Sequence, residues 1–151
     1  MTRALAAVSV IEMCSVRVGE TLFGVPVMRI LEILGKPVTH SVPLAPTFIW
    51  GLAHYRGEVL TVVSLRRLLD MPEHDSGGDI LVFEGEDGYF GVIVDEVSEV
   101  LTVSAADFET NPSTLDDRRK ALFAGAYKLS DGLLVMLDPA RLDPMRLAET
   151  A

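Results

Sequence analysis

The run of residues 55–69, Tyr-Arg-Gly-Glu-Val-Leu-Thr-Val-Val-Ser-Leu-Arg-Arg-Leu-Leu, constrains the fold more than any other part of the chain. Gly57 can adopt the positive φ of a tight turn without steric cost, so we expect Arg56 at a turn edge. Ser64 lies where the apolar pattern ends, and its hydroxyl suits the N-cap of a helix that begins at Leu65. The intervening apolar residues, which predict a short buried strand, are Leu60, Val62 and Val63.

A second segment near the C-terminus has the same order of elements. Residues 122–129 and 133–137 are typical of two strands, and Asp131-Gly132 between them is a strong hairpin signal because both residues tolerate positive φ. Asp138 then suits an N-cap, with Pro139 at the first helical position. The recurrence of strand, polar cap and helix start indicates two related halves.

Short strands with turn signals account for most of the remaining chain. Residues 13–18 and 21–25 flank Gly19-Glu20, the spacing of a two-residue hairpin loop. Residues 28–34 are typical of a helical turn that leads into a strand, and residues 80–83 and 89–94 predict a further hairpin. Heptads, long helices and βαβ alternation do not occur in the sequence, so we expect a mainly β fold.

Composition excludes several functional classes. The chain has 151 residues with 49% apolar and 23% charged residues, the balance of one globular domain. A net charge of -9 argues against nucleic-acid binding, and no stretch approaches the ~18 apolar residues of a membrane span. The single Cys14 forms no internal disulfide, which fits a reducing cytosol. Residues 1–12 are expected to be a flexible N-terminal leader, because Glu12 interrupts the position of a signal cleavage site.

Catalytic and metal-binding patterns are not recognisable. His40, His54 and His74 are far apart in sequence and lack metal-ligand spacing, so surface or turn roles are expected and no metal site or cofactor is predicted. Asp95 follows an apolar strand and is expected to accept backbone N–H groups at the strand end. The other carboxylates mostly mark turns, such as Glu86-Asp87 and Asp116-Asp117. Two of them could still converge in a cleft, which leaves a small-ligand-binding barrel or a hydrolase as an alternative.

Four sequence blocks resemble the hallmarks of the CheW-like family of chemosensory adaptors. The first is the Asn-Leu-Arg-Gly turn that leads through an apolar strand to Pro-Val-x-Asp-Leu-Arg, from which this chain departs at His54, Tyr55, Thr61 and Ser64. Residues 91–100 follow the family's Gly-x-x-Val-Asp-x-Val-x-x-Val almost throughout, and residues 43–51 its Pro-x-x-Pro-x-Phe-x-x-Gly. The first block matches at Arg56, Gly57, Val62, Leu65 and Arg66. The fourth block is the family's Pro-Val-x-x-Val-x-Glu-Ile, which this chain matches at Pro26, Val27, Ile30, Glu32 and Ile33.

The resemblance implies a mainly β fold of two intertwined five-stranded SH3-like barrels with short helices. It covers residues 13–147 as a single domain of two subdomains, which leaves residues 148–151 as a C-terminal tail. The positions with expected structural roles are Gly57, Ser64, Gly91, Asp95, Gly125 and Asp138.

The resemblance further implies a non-catalytic cytoplasmic adaptor that couples chemoreceptors to a CheA-type histidine kinase. Such a protein binds the receptor's cytoplasmic tip and the kinase's regulatory domain, and it associates with receptor arrays at the inner membrane only through these partners. Rings built from adaptor and kinase are compatible with the resemblance. By the same resemblance, Arg56, Glu32 and Ile30 lie on the receptor side. An adaptor of a non-flagellar chemosensory system, with twitching, second-messenger or developmental output, is the nearest alternative.

Overall fold

The computed structural model describes residues 9–72 and 77–150. Most of this part of the chain is β-structure, in agreement with the predicted class. The strands are β1 (Val10–Val18), β2 (Thr21–Pro26), β3 (Glu32–Leu34), β4 (Ile49–Tyr55), β5 (Glu58–Ser64), β6 (Asp79–Gly85), β7 (Gly88–Val94), β8 (Glu96–Ser104), β9 (Phe108–Glu109), β10 (Phe123–Leu129) and β11 (Gly132–Leu137). The α-helices are α1 (Leu65–Leu68), α2 (Asp117–Leu122) and α3 (Pro144–Thr150), and 3-10 turns span Val27–Arg29, Ala105–Asp107 and Pro139–Leu142. No helix in the described residues is long and apolar enough to cross a membrane.

The strands form two sheets, and every strand of the second lies between β2 and β8 of the first in sequence. The first has the order β8-β1-β2-β11-β10-β9 and combines both ends of the chain, whereas the second has the order β3-β6-β7-β5-β4 and uses its middle. This arrangement confirms the predicted mainly β fold with two intertwined subdomains. The strand count of the first sheet differs from the expected five, because the two-residue strand β9 adds a sixth at its edge.

The two predicted halves share a structural device. Each has an antiparallel hairpin, β4–β5 or β10–β11, whose first strand carries a register shift near its start. The second strand of each hairpin also pairs in parallel with a strand from elsewhere in its sheet, β7 for β5 and β2 for β11. A capped helical turn follows in both cases, at Ser64 and at Asp138. Local sequence signals therefore predicted the repeated unit correctly.

One large core joins the two sheets. Its buried members come from both, for example Val16 and Phe23 of the first sheet and Val63 and Phe83 of the second. Residues on the opposite face of β5, such as Leu60, pack into a separate cluster within the second sheet. Because β5 is buried on both faces, its sequence is nearly continuously apolar and does not alternate between apolar and polar residues.

The second sheet rolls up so that its two edges approach each other. Strands β3 and β4 are the edge strands, yet Glu32 of β3 forms an ion pair with Arg56, the residue that follows β4. The segment after β3 also reaches the other edge, where His40 pairs with Leu52 of β4 through two backbone hydrogen bonds. The Arg56 turn thus lies at the seam of a barrel-like sheet.

The element boundaries differ from the sequence predictions in four places. β1 begins at Val10, within the expected leader of residues 1–12, and α3 extends to Thr150, within the expected tail of residues 148–151. Residues 1–8, 73–76 and 151 lie outside the described part of the chain. The turn of the β10–β11 hairpin is at Ser130-Asp131 instead of Asp131-Gly132. Asp116 caps α2 instead of marking a simple turn.

Candidate partner-binding surface

Arg56 and Gly57 form the two-residue loop of the β4–β5 hairpin. Tyr55 pairs with Glu58 across the loop, and both loop residues have positive φ, 52° at Arg56 and 78° at Gly57. Two successive positive φ values suit the right-handed twist of the flanking strands, which explains why Gly57 is needed there. A non-glycine residue in this conformation costs about 1 kcal/mol, so Arg56 is held at the tip of the hairpin against its own backbone preference.

The Arg56 side chain is accessible although it has two neighbours. It is 71% exposed, and its Nη2 lies 3.5 Å from Oε1 of Glu32, which is 41% exposed. Its guanidinium carbon also lies 5.4 Å from the centre of the Tyr55 ring. An exposed ion pair of this kind contributes about 0–1 kcal/mol, so the contact orients the guanidinium without sequestering it.

Aromatic groups lie beside this charge pair. The Tyr55 ring meets Tyr89 edge-to-face at a centroid distance of 5.2 Å, and Tyr89 is 36% exposed. Leu31 and Ile33 flank Glu32 in the chain and are 45% and 44% exposed, but Ile33 lies on the opposite face of β3 from Glu32 because side chains alternate along a strand. We call Glu32, Arg56 and Tyr89 the Arg56 surface. It combines an accessible charge pair with a partly exposed aromatic ring, a composition found in protein interfaces.

Ile30 differs from its neighbours in this region. It is half-buried and packs against the large core that joins the two sheets. The exposed apolar side chains beside Glu32 are instead Leu31 and Ile33. Ile30 therefore offers less accessible surface than Leu31 or Ile33, and its place on the receptor side stays a prediction.

Asp95 lies at the centre of a polar cluster that joins three parts of the fold. Its Oδ1 accepts from Arg66 Nε at 2.7 Å, and its Oδ2 accepts from Arg66 Nη2 and from the Gly19 backbone N–H, each at 2.7 Å. The side chains of Arg66 and Asp95 are only 16% and 17% exposed. Asp95 does accept a backbone N–H as predicted, but from the β1–β2 turn. The contact with Arg66 was not predicted. The sequence singled out Arg66 only because it matches the family pattern, and nothing indicated which carboxylate it binds.

The two predicted helix caps have the expected geometry. The Ser64 hydroxyl, which is buried, accepts from the Arg67 backbone N–H at 3.2 Å. Asp138 accepts from the Ala140 backbone N–H at 3.1 Å and also pairs with the Arg141 side chain. Both residues therefore stabilise the first turn of the helical segment that follows them.

Gly91 and Gly125 are needed for close packing. A Cβ at Gly91 would lie 2.7 Å from an Ile80 methyl group. A Cβ at Gly125 would lie 2.6 Å from the Glu109 carbonyl oxygen. The φ of Gly125 is 144°, a backbone angle that residues with a side chain rarely adopt. The two glycines therefore allow the close packing around them and support the fold.

Four titratable side chains, those of Asp70, Asp116, Arg118 and Arg119, line a cavity of about 130 Å³. Each of them is at least 46% exposed, so within the described residues they form a surface cluster and not a deep pocket. A groove of about 500 Å³ lies beside α1, α2 and α3, but its lining is mainly apolar and contains one carboxylate, Asp117. No group of three or more potential metal ligands occurs among residues 9–72 and 77–150. The thiol of Cys14 is buried, which raises its pKa. The feature that would favour the hydrolase alternative is thus not seen in this part of the chain.

Two histidines that are distant in sequence come together. The rings of His40 and His54 meet edge-to-face with their centroids 6.3 Å apart. Both side chains are exposed, as predicted, and their proximity was not predicted. The pairing depends on the bridge between residue 40 and β4, which no local sequence signal reveals. His74 lies outside the described residues.

Comparison with known proteins identifies the family. The profile of the CheW-like domain matches residues 12–144. The chain is 24% identical to Chemotaxis protein CheW of Treponema pallidum (strain Nichols) over 137 residues, 87% of this chain and 81% of that protein. It is 28% identical to Chemotaxis protein CheW of Rhizobium meliloti (strain 1021) over 142 residues, 93% of this chain and 92% of that protein.

A solved structure has the same fold. The scaffolding protein TtCheW from Thermoanaerobacter tengcongensis aligns with a TM-score of 0.78 at 22% identity, which covers 89% of this chain and 92% of that one. The profile match spans most of the chain and includes the Arg56 turn and the Arg66–Asp95 cluster. The chain therefore belongs to the CheW-like domain family.

Proposed function

We propose that this protein is a non-catalytic adaptor that couples chemoreceptors to a CheA-type histidine kinase. Membership of the CheW-like family supports the proposal, as do curated relatives named Chemotaxis protein CheW and a solved structure described as a scaffolding protein. An adaptor needs exposed binding faces and no reaction centre, and its function depends on which surface meets which partner.

The geometry of Arg56 is the observation that carries the proposal. A rigid hairpin loop presents a guanidinium that is 71% exposed, with Glu32 as its weak partner at 3.5 Å. The donor fork of arginine suits a partner carboxylate or the carbonyl groups at a helix end. Because the ion pair with Glu32 is exposed, exchanging it for a contact to another protein costs little. The Arg56 surface is our proposed receptor contact.

The kinase is proposed to bind a different surface. An adaptor that links two partners must contact both at once, so one substitution on a true receptor face should affect only one of the two affinities. This requirement distinguishes an interface residue from a residue that supports the whole fold, since loss of fold would weaken both interactions together.

Paired titrations of wild type and Arg56→Ala test the proposal. The partners are a soluble receptor fragment that contains the cytoplasmic tip and the regulatory domain of the kinase. Arg118→Ala is a matched control, because Arg118 is also an exposed arginine, 61% accessible, and it too forms an ion pair with an exposed carboxylate, that of Asp70. Thermal melts of all three proteins report any change in stability.

The expected result is selective loss of receptor binding. Arg56→Ala should weaken the receptor interaction by about 2 kcal/mol, or roughly 30-fold, if the guanidinium is central in the interface. It should change stability by less than about 0.5 kcal/mol and leave kinase binding largely intact. Arg118→Ala should retain receptor affinity. Equal loss for both partners with a lowered melting temperature would make Arg56 a structural residue and overturn the assignment.

A further inference from the structure

The strand register explains why His40 and His54 lie side by side. The backbone of His40 exchanges hydrogen bonds with Leu52, with N–O distances of 2.9 Å and 2.7 Å. His54 is two residues further along β4 and therefore has its side chain on the same face as Leu52. Directly paired residues and their diagonal neighbours on one face are within reach of each other's side chains. The two rings consequently meet on the outer face of the second sheet.

The rings are about 1.1 Å further apart than two imidazoles bound to one tetrahedral metal ion require. A metal ion bound in line with a ring nitrogen lies roughly 3.2 Å from the ring centre, so tetrahedral coordination places two centres about 5.2 Å apart. The observed centroid distance is 6.3 Å, with the ring planes at 81°. Closing this gap requires a change of χ1, because rotation about χ2 turns each ring about an axis close to its centre and only re-aims the nitrogens. Both side chains are exposed, which leaves room for the change. A small side-chain adjustment therefore brings one nitrogen of each ring onto a common ion.

We infer that His40 and His54 form a two-imidazole binding site for a divalent transition-metal ion such as Zn²⁺ or Ni²⁺. Imidazole is a preferred ligand of these metals, and water molecules would occupy the remaining coordination positions. A net charge of -9 raises the local concentration of cations around the protein. No third histidine, cysteine or carboxylate completes a cluster among residues 9–72 and 77–150, so binding should be exchangeable. This inference departs from the sequence prediction of no metal site and does not depend on the adaptor proposal.

A purely structural role is the competing explanation. Edge-to-face rings at this distance attract each other weakly, so the pair could serve only to hold residue 40 against β4. The two backbone hydrogen bonds to Leu52 already perform that task. The explanations differ in an observable way, because an aromatic contact does not select transition metals over other divalent cations.

Metal titration of the full chain separates them. Isothermal calorimetry with Zn²⁺ would be carried out on wild type, His40→Ala, His54→Ala and His74→Ala, and with Mg²⁺ on wild type. Since the chain has 3 histidines, His74→Ala is the matched control. The site predicts one Zn²⁺ per chain, no binding of Mg²⁺, and a loss of affinity of about tenfold or more in each of His40→Ala and His54→Ala. His74→Ala should retain wild-type affinity.

Histidine NMR spectra provide a second measurement that does not depend on the variants folding. Addition of diamagnetic Zn²⁺ to the wild-type protein should shift the ring resonances of His40 and His54 together and leave those of His74 in place. Absence of Zn²⁺ binding, unchanged affinity in either paired-histidine variant, or loss of affinity in His74→Ala as large as in the others would each overturn the inference.

Discussion

Loss of the Asp95 carboxylate should destabilise the fold because it ties together separate elements. Asp95 follows β7, its partner Arg66 lies in α1, and the third group that it binds is the Gly19 N–H in the β1–β2 turn. Asp95→Ala removes the common acceptor of three hydrogen bonds, each 2.7 Å long. The perturbation therefore acts on the junction between the two sheets and leaves the apolar core unchanged.

The structure sets the size of the expected effect. A hydrogen bond to a charged group contributes about 1.5–3 kcal/mol, but removing one partner of a buried pair costs about 3–5 kcal/mol in total because the bonds are not additive. Arg66 and Asp95 retain 16% and 17% exposure, so water partly replaces the lost contacts. We expect a loss of about 3 kcal/mol in the free energy of unfolding, and a melting temperature lower by roughly 6–12 °C.

Urea unfolding of a set of variants measures this loss. Asp95→Asn keeps the shape and one acceptor and should cost about half as much as Asp95→Ala. Arg66→Ala completes a double-mutant cycle, in which the coupling energy should be about 1–3 kcal/mol. The control is Glu109→Ala, which removes an exposed carboxylate from its ion pair with Lys128 and should be nearly neutral. If Asp95→Ala lies within about 0.5 kcal/mol of wild type, the cluster does not stabilise the junction and the reasoning fails.

Substitutions at three further positions test local features. Ser64→Ala should lower the free energy of unfolding by about 1 kcal/mol and Ser64→Asp should be nearly neutral, because either oxygen can accept the Arg67 N–H; denaturant titration showing a harmless Ala and a disruptive Asp would refute the cap. Gly125→Ala should cost about 2 kcal/mol or more by the same method, because its Cβ would lie 2.6 Å from the Glu109 carbonyl oxygen, and a neutral result would contradict the packing. The pKa of Asp116 is lowered below its usual 3.8, mainly by the hydrogen bond from the Arg119 backbone N–H and further by the charge of the Arg119 guanidinium. The ionised carboxylate therefore stabilises the fold above pH 3.8, and this contribution is lost as the pH falls through the lower pKa of the folded state. Stability measured from about pH 5 to pH 2 should therefore fall less steeply in Asp116→Asn, and parallel curves would contradict the assignment.

Local features of the fold were predictable because their causes are local. The Arg56-Gly57 turn, the Ser64 cap and the Asp138 cap depend on residue types within a few positions of one another. The long edge strand β8 was less evident, since most of its residues are exposed and its pairing with β1 depends on distant sequence. Helix α2 was missed for a related reason, because Asp116-Asp117 favours a turn as readily as a helix start.

Contacts between distant residues could not be obtained from spacing alone. The Arg66–Asp95 pair, the Arg56–Glu32 pair and the His40–His54 contact each join segments whose proximity arises from sheet order and register. Family resemblance named five of these six residues as motif matches, departures or expected site positions, but it did not reveal how they pair. The interface role of Arg56 remains a prediction that rests on its accessibility and its hairpin setting.

Co-purification from native cells tests the central claim most directly. Tagged wild-type protein would be isolated from its own host under gentle conditions, in parallel with Arg56→Ala and the control Arg118→Ala, and the bound proteins would be identified by mass spectrometry. Our account predicts that wild type and Arg118→Ala bring down both a chemoreceptor and a histidine kinase, whereas Arg56→Ala retains the kinase and loses most of the receptor. Recovery of neither partner with wild type, or equal recovery of the receptor with Arg56→Ala, would contradict it.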